Sequence, residues 1–210
     1  MTPVPDVLFS HFHPAENEYN RANADRSVAW ANQHGMVVQV ARLVWGYSNP
    51  DWLFLEGGVE VSKQELLKRM EEHFRHVVGR YKGKVDIWNV VNEVVADPWF
   101  NLGEGHLDWE SFFGKCNKNR RHEIIGEEYV EKAFRIAHEA DPDTKLFFNE
   151  YNLVGPLHAN KRKQTYDLLK DLLDRGTPIH GFGIQGHWAI EYPDPDELME
   201  VIEQFVGLGL

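Results

Sequence analysis

This chain of 210 residues has few of the features that would tie it to a membrane, a nucleic acid or a disulfide framework. A single cysteine, Cys116, excludes an internal disulfide. No apolar run is long enough to span a bilayer. The formal net charge of −11 argues against a nucleic acid or an anionic membrane as a partner, because phosphate groups are bound by clustered Lys and Arg.

The N-terminus has neither the basic segment nor the apolar core of a signal peptide. A chain whose signal had been removed, or one cut from a longer protein, would look the same. The content of 42% hydrophobic and 26% charged residues predicts one soluble globular domain over residues 1–210. An acidic chain suits a neutral substrate such as a sugar.

Strand and helix patterns alternate along the sequence. Strands are predicted at residues 7–9, 36–45, 85–92, 146–148 and 181–184, and the helices between them have clear start signals such as the capping box at Ser62. Such alternation predicts a parallel sheet. It fits either part of an eight-fold barrel or a five-stranded doubly wound sheet. Long polar and aromatic connections follow every strand, which favours the barrel.

Polar side chains close the strands. Glu93 follows the strand that ends at Asn92, and Gln185 and His187, two residues apart, follow another strand and can point the same way. A carboxyl group at such a strand end can exchange a proton with a substrate, although it could also cap a helix. Glu150 is a candidate for a second catalytic carboxylate, but a structural network is the stronger interpretation.

Four further residues are candidates for contact with sugar. Glu16 and Asn17 could bind hydroxyl groups or could begin a solvated helix. Tyr151 could support the site or pack in the core. Trp45 could stack on the apolar face of a sugar ring or plug a loop.

His11 and His13 form an H-x-H pair of the kind that binds metal at the end of a barrel strand. A metal site would need further ligands from later strands. His187 could serve, but no other strand end offers a suitable group, so a metal-dependent hydrolase is the minor alternative.

Five segments together resemble the family 10 glycoside hydrolases, the xylanase family. W-N-V-V-N-E at residues 88–93 resembles the family's W-D-V-V-N-E, and F-N-E-Y-N at 148–152 resembles its N-[DE]-Y-N. G-I-Q-G-H at 183–187 resembles its G-x-Q-x-H. E-N-E at 16–18 and L-V-W at 43–45 match in the same order.

The resemblance implies a (β/α)8 TIM barrel that hydrolyses β-1,4-linked polysaccharides or oligosaccharides with retention, in carbohydrate catabolism, without a cofactor or a metal. It implies a secreted or periplasmic protein. It assigns Glu93 as the general acid/base and His187 as the partner of the nucleophile. It also implies that four residues contact the sugar: Glu16, Asn17, Asn92 and Gln185.

The chain departs from the family pattern in two ways. The matched segments correspond to barrel strands two to six, so five of eight βα units are expected, and the strand with the nucleophile would begin beyond Leu210. Such a chain should be inactive alone. In addition, Asn20, Ala41 and Gly46 stand where the family has a lysine and two histidines that hold xylose. A different glycan, or a non-catalytic glycan-binding relative, is therefore an alternative.

Overall fold

A parallel sheet forms the centre of the computed structural model, which describes residues 1–3, 6–95 and 120–210. Its four strands lie in the order β1, β4, β5, β6, and every neighbouring pair is parallel. Their bounds are Gln39–Val40 (β1), Ile87–Asn92 (β4), Lys145–Glu150 (β5) and Gly181–Ile184 (β6). A separate antiparallel hairpin consists of β2, Leu55–Glu56, and β3, Val59–Glu60.

Helices connect the parallel strands. In chain order the helices of the described residues are α1 (Phe9–Phe12), α2 (Ala22–Gln33), α3 (Lys63–Arg80), α4 (Arg120–Ile125), α5 (Glu128–Ala140), α6 (Ala159–Asp174) and α7 (Pro195–Val206). Short 3-10 turns lie at Asp51–Leu53 and Pro156–His158. Since parallel neighbours need a crossover, each step from one sheet strand to the next passes through at least one helix.

Local signals set the ends of the helices. The Ser62 hydroxyl accepts a hydrogen bond from the backbone N–H of Glu65 at 3.2 Å, and this caps α3 as the sequence predicts. Asp194 caps α7 in the same way through the N–H groups of Asp196 and Glu197. One face of α3 is fully buried at Leu66, Met70, Phe74 and Val77, which follows its helical spacing.

The strand predicted at residues 7–9 is wrong. Val7 lies in a turn and Leu8 precedes α1, whose Phe9 and Phe12 are buried. Their spacing of three puts both rings on one side of a helical turn, which a strand would not do. Met1 instead meets the outer edge of the sheet, because its carbonyl oxygen accepts the N–H of Gln39 at 2.9 Å.

The strand β4 is buried on both faces, whereas β5 is buried on one face and half-buried at Phe147 and Asn149 of the other. Trp88, Val90 and Val91 of β4 have no exposed surface, and neither do Leu146 and Phe148 of β5. No helix in the described part of the chain has the length and apolarity needed to cross a membrane.

Residues 95–122 are rich in aromatic residues and glycine, and this composition predicts a long loop. The segment lies almost wholly outside the described residues, and so does Cys116. Its end is described, and there α4 already begins at Arg120, inside the predicted loop.

Candidate active site

A cleft of about 580 Å³ opens at the carboxyl ends of the parallel strands. This volume is in the range of ordinary ligand sites. The cleft is lined by Ala41, Arg42, Trp45, Tyr47, Ser48, Asn92, Glu93, Asn149, Tyr151, Gln185 and His187. Because parallel strands all end at one side of the sheet, residues that follow different strands meet there.

Glu93 lies in this cleft with a hydrogen-bond donor on each carboxylate oxygen. The indole N–H of Trp45 donates to Oε2 at 2.8 Å, and the amide of Gln185 donates to Oε1 at 3.2 Å. The indole beside this carboxylate is that of Trp45, whereas Trp88, the tryptophan nearest to Glu93 in the sequence, lies in the core. Glu93 has φ of 57°, in the left-handed region that non-glycine residues seldom adopt. Its N–H donates to the Asn149 carbonyl at 3.0 Å, which holds the turn in this conformation.

Side-chain amides from three strand ends form a network beside Glu93. Asn92 Oδ1 accepts from Asn149 Nδ2 at 2.6 Å and from Gln185 Nε2 at 3.2 Å. The buried Nδ2 of Asn92 has no hydrogen-bond partner among the described residues. Buried donors are almost always paired, so this N–H group is an exception in the wall of the cleft.

His187 extends the network toward solvent. Its Nε2 lies 2.9 Å from Gln185 Oε1. Because an amide oxygen can only accept, Nε2 must carry the proton, and the bond fixes the orientation of the Gln185 amide. The NH₂ group of Gln185 is thereby turned toward Glu93 and Asn92.

Glu150 is buried away from the cleft and is not a second catalytic carboxylate. Oε1 lies 3.0 Å from Lys161 Nζ and accepts the N–H of Tyr151, while Oε2 accepts the N–H of Val95 at 3.1 Å. Burial raises the pKa of Glu150, and the charge of Lys161 acts against this rise. The pair supports Tyr151, whose ring centroid lies 3.3 Å from Lys161 Nζ and which does line the cleft.

Glu16 and Asn17 are exposed and do not belong to the cleft lining. Glu16 Oε1 lies 3.9 Å from Arg69 Nη2. Asn20, at the position of the family's lysine, donates to the His11 carbonyl at 3.1 Å. That Glu16 and Asn17 bind sugar is therefore a proposal.

The geometry of His13 opposes the metal alternative. Its Nδ1 lies 3.1 Å from Nδ1 of His73, and its Nε2 lies 3.0 Å from the carbonyl oxygen of Glu16, so both ring nitrogens are engaged by protein groups. Burial lowers the pKa of His13 and holds the pKa of His73 well below its usual value. Within residues 1–3, 6–95 and 120–210, no group of three or more His, Cys, Asp or Glu could hold a metal ion.

Several lining residues have no place in the sequence interpretation. Asn149 could have been found, because it ends β5 as Asn92 ends β4. Arg42 and Ser48 reach the cleft through left-handed backbone, with φ of 72° and 55°. No residue pattern signals this conformation for an arginine or a serine. Tyr47 follows Trp45, and nothing in the sequence separates it from an ordinary loop aromatic.

Comparisons with known proteins agree with this geometry. The family model described as glycosyl hydrolase family 10 matches residues 1–210. A β-1,4-xylanase of Dictyoglomus thermophilum is 39% identical over the whole chain, which covers 54% of that relative. An endo-1,4-β-xylanase B of Paenibacillus barcinonensis is 38% identical, with 59% of it covered.

The fold is similar to that of solved structures as well. One, an endoxylanase from sugarcane soil metagenome, superposes with a TM-score of 0.86 at 32% identity, over all of this chain and 56% of that one. The (β/α)8 fold class is thus confirmed, with part of the barrel in this chain. The chain spans somewhat more than half the length of the relatives it matches.

Proposed function

Because the chain belongs to glycosyl hydrolase family 10, we propose that its cleft binds a β-1,4-linked glycan and that Glu93 is the general acid/base of a retaining hydrolase. In this proposal residues 1–210 form one domain, which is part of a barrel. The relatives are named xylanases, so xylan or a related β-glycan is the proposed substrate. Asn92, Gln185, Trp45 and Tyr151 are the proposed contacts for sugar, with Glu16 and Asn17 as further candidates.

The contacts of Glu93 carry this proposal. Among the described residues, Glu93 is the only carboxylic acid that lines the cleft, and the donors Trp45 and Gln185 fix both of its oxygens. In the first step a nucleophilic carboxylate attacks the anomeric carbon while Glu93, protonated, gives its proton to the glycosidic oxygen, whose bond to that carbon breaks. In the second step its carboxylate takes a proton from the water that releases the sugar.

The unpaired N–H group of Asn92 would donate to a sugar hydroxyl next to the reacting carbon. Such a hydrogen bond to a sugar can strengthen as positive charge develops on the ring in the transition state. His187 would act through Gln185, by holding that amide in the orientation that donates to Glu93.

Retention also requires a nucleophilic carboxylate about 5–5.5 Å from the acid/base. The described part of the cleft lining offers no second carboxylate, and Glu150 is held in its buried ion pair. We therefore propose that this chain binds glycan but does not hydrolyse it alone.

The test of the acid/base uses a hybrid in which this chain replaces the matched part of the Dictyoglomus thermophilum relative. We expect the hybrid to release reducing sugar from xylan. Glu93→Gln should lower the rate by ~10²–10⁴, the usual contribution of general acid–base catalysis. An aryl glycoside with a good leaving group needs less protonation and should lose less in its first step. Glu200→Gln, on the exposed face of α7, is the matched control. An undiminished rate on xylan in Glu93→Gln would refute the assignment.

A non-catalytic glycan-binding role is the second candidate. It is favoured by the single carboxylate in the described lining and by Ala41, which stands in the cleft where the family has a histidine. The 210-residue chain should then bind insoluble xylan, and a hybrid with the second carboxylate should still release no sugar. Turnover by the hybrid would exclude this candidate.

A further inference from the structure

The cleft contains an arginine that has no anionic partner. Arg42 lines the cleft, yet no described carboxylate lies within 4 Å of its guanidinium, and no described residue hydrogen-bonds with that group. The guanidinium of every other described arginine donates at least one hydrogen bond: Arg80 chelates Asp25, and Arg162, which has no carboxylate beside it, donates to the Leu153 carbonyl at 2.8 Å. Among the described arginines Arg42 is therefore the exception, and it lies where a ligand would bind.

The backbone fixes the direction of this side chain. Arg42 has φ of 72°, and the N–H groups of Arg42 and Leu43 both donate to the Asn89 carbonyl at 3.0 Å. Left-handed backbone at a non-glycine residue is strained and tends to occur at functional sites. Here it turns the guanidinium over the Trp45 ring, 4.2 Å from the centroid.

The indole of Trp45 thus contacts both Arg42 and Glu93. The guanidinium stacks on the face of Trp45, and the edge of the same indole donates to Glu93. Trp45 and Gln185 already occupy the carboxylate of Glu93, whereas the five N–H donors of Arg42 remain free of described side chains. The neighbouring Ala41 has only a methyl group, so the space beside Arg42 stays open.

We propose that Arg42 is a subsite for a carboxylate, so that the preferred ligand is a β-1,4-linked glycan that carries uronic acid. This inference rests on the proposed function. A guanidinium binds a carboxylate through two parallel N–H···O bonds, a geometry that neither a lysine nor a neutral side chain reproduces. A wholly neutral glycan would cover Arg42 without supplying an anion, which costs desolvation energy.

The experiment measures binding to the 210-residue chain by isothermal titration calorimetry. The probes are a xylo-oligosaccharide with one glucuronic acid branch and the same molecule with its carboxyl group reduced to an alcohol. A β-1,4-linked oligoglucuronic acid and its reduced form repeat the comparison with the carboxylate in the backbone. We expect the acid to bind about tenfold more tightly than its reduced form in at least one pair, the value of one charge-assisted hydrogen bond. The pair that shows the difference identifies the source of the carboxylate.

Variants then test whether Arg42 is responsible. Arg42→Gln should abolish the difference between the acid and its reduced form, and Arg42→Lys should keep only part of it. Arg26→Gln, at an exposed arginine of α2, should preserve it.

Equal affinities in both pairs for the unmodified chain would overturn the inference, and this comparison needs no variant. A difference that persists in Arg42→Gln would overturn the role of Arg42. Failure of all four probes to bind would contradict the proposed glycan function itself, whereas binding of the reduced probes with equal affinity would contradict the carboxylate subsite alone.

Discussion

Lys161 and Glu150 form an ion pair with 3.0 Å between Nζ and Oε1, and neither side chain has any exposed surface. The pair connects α6 to the end of β5. Glu150 also accepts the N–H of Val95, two residues beyond Glu93. This buried ion pair therefore contacts both the ring of Tyr151 and the segment that follows the proposed acid/base, Glu93.

We expect Lys161→Met to destabilise the chain by about 3–5 kcal/mol, because it leaves the charge of Glu150 buried without a partner. Urea unfolding followed by circular dichroism measures the change. The double variant Lys161→Met with Glu150→Gln should be less destabilised than Lys161→Met alone. A single variant as stable as the wild type would show that Glu150 is protonated or solvated.

Acid should destabilise the chain through His13 and His73. Burial holds the pKa of both below the usual 6.5, so at a pH below 6.5 the unfolded chain binds protons at these rings more readily than the folded chain does. The stability that comes from keeping these rings neutral is complete above pH 6.5 and is lost as the pH falls below it. The free energy of unfolding should drop by up to about 1.4 kcal/mol per pH unit for each ring.

Urea unfolding at pH 7.5 and 5.5 checks this dependence. Glu150 acts in the opposite direction, because a carboxyl group with a raised pKa takes up its proton first in the folded state. His73→Phe removes the contribution of His73, so the stability of this variant should depend less on pH than that of the wild type. Equal slopes in the two proteins would contradict the role of His73.

Gly183 leaves room for the amide network. A Cβ at this position would lie 2.4 Å from Asn149 Oδ1, so Gly183→Ala should displace the side chain that donates to Asn92. We expect a loss of stability of about 1–3 kcal/mol, typical of overpacking, together with weaker binding of xylo-oligosaccharide. Gly79→Ala is the control, because a Cβ there would meet nothing within 4 Å and alanine favours a helix. Wild-type affinity in Gly183→Ala would argue that the network does not shape the binding site.

Asn92→Asp tests the unpaired donor of Asn92. The aspartate keeps the oxygen that accepts from Asn149 and Gln185 but replaces the free NH₂ group with a second oxygen. We expect the affinity for a neutral xylo-oligosaccharide to fall about tenfold or more, with the chain still folded by circular dichroism. Unchanged affinity would mean that no ligand oxygen meets this group.

Much of the site was predictable because its signals are local. A strand that ends in an amide followed by an acid has its polar group at the carboxyl edge of a parallel sheet, whatever the rest of the chain does. Asn92, Glu93 and Gln185 therefore meet in the cleft as predicted. The helix start at Ser62 is confirmed for the same reason, since a cap depends on three or four consecutive residues.

The remaining features depend on conformations that the sequence does not specify locally. The register between β4 and β5 shifts between Asn89 and Val91, so simple alternation cannot tell which side chains of β4 face the cleft. Proximity in sequence therefore favours Trp88 as the neighbour of Glu93, although Trp45 is the tryptophan that contacts it. Three apolar residues at positions 7–9 fit a strand or a helical turn equally well, and tertiary packing decides between them.

The left-handed backbone at Arg42 and Glu93 has a practical consequence for protein engineering. Glycine at either position would relax the main chain and at the same time remove the group that faces the ligand. A library selected purely for heat resistance would be drawn to such changes. The selected variants would be more stable but would no longer bind ligand in the cleft, so any thermal screen of this chain should be paired with a binding assay.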